Sequence, residues 1–116
     1  MSPELKKRWL DALRSGKYRQ GKFRLKDVVK GQTCHCCLGV LAVEASSEIR
    51  SAGATLEIAE TFIEIGSGNG YVNTIQFSGM ILETLGMSAD DQNELVRIND
   101  LSSNYYEQIL YIEKNL

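Results

Sequence analysis

Apolar residues recur with the helical period at Leu5, Trp9, Leu10 and Leu13. They follow Ser2 and Pro3, which suit an N-cap and a first helical position, and precede Ser15-Gly16, which stops the run. The spacing predicts a first helix over about residues 3–15. From Phe23 the pattern changes to alternation, with Phe23, Leu25, Asp27 and Val29 against Arg24, Lys26 and Val28, and Lys30-Gly31 offers a turn before Gln32 to Cys34. That reads as a short hairpin. Cys36 to Ala45 is apolar on nearly every side and predicts a buried helix, although β-branched Val40 and Val43 leave a strand open; Ser46-Ser47 marks its exit. Residues 46–60 fit no single period. Two β-rich runs, Thr61 to Ile65 and Tyr71 to Phe77, flank Gly66-Ser67-Gly68-Asn69-Gly70 and predict a second hairpin. Beyond it, Ser78 suits the cap of a helix carrying Met80, Ile81, Leu82 and Leu85 and ended by Gly86, and Ser88 the cap of another carrying Leu95, Val96 and Ile98. Ser102 or Ser103 would cap the last, with Tyr106, Ile109, Leu110, Ile112 and Leu116 as its apolar stripe and Glu107, Glu113 and Lys114 in water. The expected fold class is α+β, with small antiparallel hairpins packed against about five helices in a single compact domain over residues 1–116.

Length and composition agree with that picture. A chain of 116 residues, 43% hydrophobic and 24% charged, buries enough surface for one core without a metal or disulfide staple, so no cofactor is demanded. No run approaches the roughly 18 apolar residues of a membrane span, and the basic N-terminus leads into a helix pattern rather than a signal peptide. The expected location is the cytoplasm, with no membrane partner.

Charge is unevenly placed. Ten of the 13 cations lie in the first thirty residues with only Glu4, Asp11 and Asp27 against them, giving that segment +7 and the rest −9. Clustered Lys and Arg raise the local potential and favour an anionic ligand or an acidic partner surface. The acidic remainder disfavours general nucleic-acid binding. The plain alternative is a solvated face that pairs with the chain's own acidic half or with another copy.

Motifs of known chemistry are few. Cys34-His35-Cys36-Cys37 offers zinc's preferred ligands, but adjacent residues cannot wrap a tetrahedral ion and no other Cys or His supplies a second pair. A site shared between subunits and a redox thiol pair stay open; the favoured reading makes Cys36 and Cys37 small buried hydrophobes. The 66–70 glycines lack the following helix of a phosphate cradle, and Asn99 to Leu110 lacks the glycine and glutamate of a calcium loop. His35 is the only histidine, and no nucleophile has an identifiable base. Carboxylate catalysis through Glu57, Glu60 or Glu64 stays open, since paired acids are recognised by spatial separation. No catalytic and no metal-binding residue is assigned.

The segment from Arg14 to Arg24 is the most suggestive. It combines guanidinium groups that fork onto phosphate, a tyrosine face for stacking and a discriminating amide. The expected ligand-binding residues are Arg14, Tyr18, Arg19, Gln20 and Arg24, joined by Asn99. The alternative is that Tyr18 and Phe23 pack the connection onto the core while the cations stay solvated.

Trp9-x-x-Ala12-Leu13-Arg14-Ser15-Gly16-x-Tyr18-x-Gln20, then Leu25, Cys36-Cys37-Leu38-Gly39-Val40-Leu41, Leu85-Gly86-Met87-Ser88 and Ile98-Asn99-Asp100 resemble a family of small proteins encoded by tailed bacteriophages. The resemblance spans most of the chain except residues 44–76, and departs at Cys34 and at Asn104-Tyr105-Tyr106. It implies expression in a bacterial cytoplasm during infection. By analogy with phage anti-defence factors, the expected function is a homo-oligomeric sponge that sequesters a nucleotide immune signal, of the cyclic ADP-ribose or cyclic dinucleotide type, without cleaving it. Two alternatives are an accessory protein that blocks a host protein through its basic face, and a small hydrolase of such a signal.

Overall fold

The computed structural model describes residues 1–51, 77 and 79–116. Among these, the order is α1 (Pro3–Arg14), β1 (Lys26–Val29), β2 (Gln32–His35), α2 (Cys37–Glu44), α3 (Ser46–Ser51), α4 (Gly79–Leu85), α5 (Ala89–Leu101) and α6 (Tyr106–Asn115). The fold is α+β and mostly helical, with six helices and one two-stranded antiparallel hairpin around one contiguous core among the described residues. The second hairpin, Glu57, Glu60, Glu64 and the Ser78 cap lie outside the described residues.

Helix α1 starts as its sequence dictates. The Ser2 hydroxyl accepts from Leu5 N at 3.2 Å, Pro3 occupies the first turn, and Gly16 leaves the helix at φ 76°. Its stripe of Leu5, Trp9, Leu10, Ala12 and Leu13 faces the core and packs on α2 and α6. Helix α2 is the centre: Cys37 to Ala42 are all buried, and the Trp9 indole donates to the Cys37 carbonyl at 2.9 Å. Each fully buried Leu or Val there contributes roughly 1.5–3 kcal/mol over leaving it in water. Gly39 is required in α2 because a Cβ would overlap the Leu25 backbone carbonyl. That close approach seats the hairpin's entry against the helix.

Strands β1 and β2 pair with Lys26 opposite His35 and Val29 opposite Gln32, so Lys30-Gly31 forms the two-residue turn expected. Both turn residues have positive φ, 52° and 78°, the conformation whose twist matches a hairpin. A single parallel bridge between Gln20 and His35 attaches the preceding loop to the outer side of β2.

Ser46-Ser47 follow the end of α2 at Glu44, as expected, and they also start α3, which runs on from α2 through Ala45 and buries Ile49. Two local readings are corrected. Neither Ser102 nor Ser103 caps α6. Ser102 closes α5, its N–H donating to Asn99 O, and α6 begins at Tyr106, whose N–H donates to Asn104 Oδ1. The apolar stripe of α6 is also rotated: Tyr106 and Leu110 are exposed, while Gln108 is fully buried beside Ile112. The cause is polar, since the Gln108 amide donates to Asn99 Oδ1 at 3.0 Å and that bond sets the face α6 turns inward.

Candidate functional site

Between α1 and β1 the chain runs through residues 15–25 without regular structure, and its inner side is tied down at every step. The bridge to β2 holds it from the side, with His35 N–H donating to Arg19 O and Gly21 N–H to His35 O, both at 2.8 Å. From beneath, the Gln20 amide donates to the carbonyls of Asn99 and Ser102 at 3.0 and 3.1 Å, fixing the loop to the end of α5. Asn99 completes the attachment. Its Nδ2 donates to Gly21 O at 2.8 Å, and its Oδ1 accepts from Cys37 N–H at 3.1 Å and from Gln108. One buried amide thus joins the loop, α2 and α6. The next residue, Asp100, accepts from Phe23 N–H at 2.9 Å.

The outer side is different. The loop and the hairpin enclose an open groove of about 650 Å³, whose lining includes Arg19, Lys22, Phe23, Val29, Lys30 and Gln32. A second depression of about 500 Å³, lined by Lys17, Tyr18, Arg19 and Gln32 among others, shares Arg19 and Gln32 with it. Among the described residues none of Arg19, Lys22 and Lys30 forms an ion pair, and all three are exposed. Asp27 is the one acid in the groove lining, and Arg24 stands 3.8 Å from its carboxylate. The groove therefore carries a positive potential over a rigid floor, a combination that suits a small anion.

Much of the remaining basic charge is consumed internally. Arg8 pairs with Glu48 at 3.0 Å, Arg14 with Glu113 at 2.9 Å, and the Lys6 ammonium donates to Glu113 O. The self-pairing of the basic third with the acidic remainder thus holds for Arg8 and Arg14 of α1 but not for Arg19, Lys22 and Lys30.

The six residues expected to bind ligand fall into distinct places. Arg19 lines both the groove and the depression beside it. Gln20 lines the groove while its amide is engaged with α5. Asn99 is buried directly behind, and every polar atom of its side chain is bonded within the protein. Gln20 and Asn99 are therefore brought together, but as the loop's attachment. Tyr18 lines the depression, but its hydroxyl donates to Glu44 Oε2 at 2.7 Å, its ring is perpendicular to the His35 ring at 5.3 Å, and the Lys17 ammonium stands over it at 5.4 Å. Burial, and after it Glu44, push the Tyr18 phenol well above its ordinary pKa. Arg24 lines a narrow cleft with Cys36 and Asp100, and Arg14 lies on α1 in its pair with Glu113.

Sequence reasoning missed Phe23 and Lys30. Phe23 is 62% exposed and has φ 69°, a conformation that costs a bulky residue about 1–2 kcal/mol. Its turn-like neighbours hide that in the sequence. Lys30 is legible as a turn residue, but its facing the same groove as the 19–23 loop depends on the bridge at His35.

The cysteines are free and buried. Burial pushes the Cys36 thiol up to about 12, against the pull of the N–H groups at the start of α2, and pushes Cys37 well up too. Neither is a thiolate at neutral pH, so the nucleophilic form is missing. Among the described residues no group of three or more His, Cys, Asp or Glu side chains is placed to hold a metal, and no helix is long and apolar enough to cross a membrane.

No curated protein and no solved structure matches the chain. Residues 1–48 are similar to a domain of unknown function (DUF8296), and this stretch contains α1, the attached loop, the whole hairpin and all the cations of the groove.

Proposed function

We propose that this chain binds and sequesters a small phosphorylated ligand in the groove between the 15–25 loop and the hairpin. The observation that carries the reading is the set of exposed cations, Arg19, Lys22 and Lys30, standing without ion pairs over a backbone fixed by Gln20 and Asn99. Such a cradle loses little entropy when an anion docks, because the loop is already ordered. In the phage setting that the resemblance implies, the ligand is a nucleotide immune signal and the protein acts in the bacterial cytoplasm. A second copy of the chain would close the open side of the groove, in keeping with a homo-oligomer. Arg19 supplies a forked contact to phosphate, with Arg24 nearby, and Gln20 and Asn99 hold the loop in register. Sequestration rather than turnover is supported by the chemistry at hand: the Cys36 and Cys37 thiols are protonated and the only imidazole is packed against Tyr18.

The test is release. Purified protein is incubated with extract from bacteria whose nucleotide-signalling defence has been triggered, washed and heat-denatured, and the supernatant is read by mass spectrometry. An intact nucleotide is expected, with at least about tenfold less retained by Arg19→Ala. Nothing released with the signal still active would turn the reading to a protein partner on the basic face. Nothing released with the signal destroyed would turn it to an enzyme.

A further inference from the structure

Two non-glycine residues among those described adopt the left-handed backbone conformation, Phe23 at φ 69° and Lys30 at φ 52°, and both line the same groove. The hairpin turn accounts for Lys30, but Phe23 lies in the loop, where no hairpin turn demands a positive φ. Glycine or asparagine would relieve each position. Strain such as that at Phe23 is retained where the surrounding structure imposes it and clusters at binding sites. Phe23 is held by Asp100, whose carboxylate accepts its N–H at 2.9 Å, and by the neighbouring bond from Asn99 to Gly21 O. The fixed backbone leaves the Phe23 ring mostly in solvent, with exposed Val29 on the same groove lining. An apolar ring displayed in this way gains nothing for the core.

We infer that Phe23 is the base-stacking residue of the groove and Lys30 its phosphate-neutralising partner, so that the ligand class is a phosphorylated molecule bearing a planar aromatic base. This rests on the anion-binding reading above and adds what distinguishes a nucleotide from a simple phosphate. Base-on-aromatic stacking tolerates any base, so the pair reads the presence of a base and leaves its identity to other contacts. Tyr18 is engaged within the protein, its hydroxyl donating to Glu44 and its ring carrying the Lys17 ammonium 5.4 Å from the centroid.

The experiment is calorimetric titration of the full chain with three probes: pyrophosphate, ADP and cyclic diadenylate. At least one adenine nucleotide is expected to bind about tenfold or more tightly than pyrophosphate. Phe23→Gly, which relieves the backbone, should keep or raise the melting temperature, bring the nucleotide affinity down to that of pyrophosphate and leave pyrophosphate unchanged; Phe23→Trp should restore the preference. Lys30→Asn, which suits the turn better, should weaken all the probes it binds together. Pyrophosphate binding with no preference for either nucleotide would overturn the stacking assignment and leave the anion site standing. A preference that survives Phe23→Gly would overturn it as well. Binding of none of the three probes would overturn both readings.

Discussion

The inner and outer sides of the segment from Ser15 to His35 carry similar polar chemistry and treat it in opposite ways. On the inner side, Gln20, Gly21 O, the His35 backbone and Asn99 are all bonded within the protein, and the Tyr105 hydroxyl adds a donor to His35 O at 2.6 Å. On the outer side, Arg19, Lys22 and Lys30 stand in solvent without ion pairs, beside an exposed aromatic ring. The difference separates two tasks. Buried polar groups must be matched within the protein, because each unmatched one costs about 1–3 kcal/mol, whereas exposed ones keep their bonding capacity for a ligand. The inner side therefore holds the backbone beneath the exposed cations in place, as the proposed anion site requires.

Breaking the inner side should have the largest effect. Asn99→Ala strands Gly21 O, Cys37 N–H and the Gln108 amide together, and is expected to lower unfolding free energy by about 3 kcal/mol or more in urea titrations. Glu94→Gln, an exposed change on the same helix, should leave it near wild type. Gly39→Ala comes next. Helix propensity alone would favour alanine by about 1 kcal/mol, but its Cβ would overlap the Leu25 carbonyl and force the hairpin away from α2. Overpacking against backbone should win, with a net loss of about 2 kcal/mol and a weakened groove.

These two residues also mark what was legible. The helical periods, the Ser2 and Ser88 caps, the Gly16 and Gly86 stops and the Lys30-Gly31 turn follow from local chemistry and appear where the pattern put them. Asn99 was legible as a polar residue near the site but not as a hub, because its partners lie up to 79 positions away and no local signal records them. Gln108 shows the same limit in reverse. Hydrophobic pattern alone turned α6 by its Tyr106 and Leu110 face, whereas the fold turns it by a buried amide that periodicity counts as solvent-facing. The exposure of Phe23 and the internal bonding of Tyr18 have a related cause, a backbone angle at one and a Glu44 bond at the other.

Acid should loosen the boundary between the two sides. Burial, and after it the Lys26 ammonium across the strand pair, hold the His35 imidazole down to about 4 from its ordinary 6.5. Between these values the unfolded chain binds more protons than the folded one, so stability rises with pH across the window and is lost as pH falls from 6.5 toward 4. The measurement is the slope of melting temperature against pH from 5 to 6.5, above the range where most carboxylates titrate. His35→Gln should flatten it relative to wild type. An unchanged slope would place the proton uptake elsewhere.

The smallest effect sharpens the comparison best. Arg14 and Arg19 are five residues apart in a basic stretch, and the sequence offers no reason to treat them differently. Arg14 stands on α1 with its guanidinium on Glu113 at 2.9 Å, both side chains nearly half exposed, whereas Arg19 lies beyond the Gly16 stop on the groove. An exposed pair of that kind contributes about 0–1 kcal/mol. Arg14→Ala should therefore change stability by less than about 1 kcal/mol and leave pyrophosphate affinity within a factor of two, while Arg19→Ala should leave stability alone and lower that affinity about tenfold. Raising salt from 50 to 500 mM should shrink the Arg19 effect on affinity, since the groove charges are screened by solvent. If both variants weakened binding equally, the long-range field of the whole basic segment would be the recognition element, and the division between a bonded inner side and a ligand-facing outer side would lose its functional meaning.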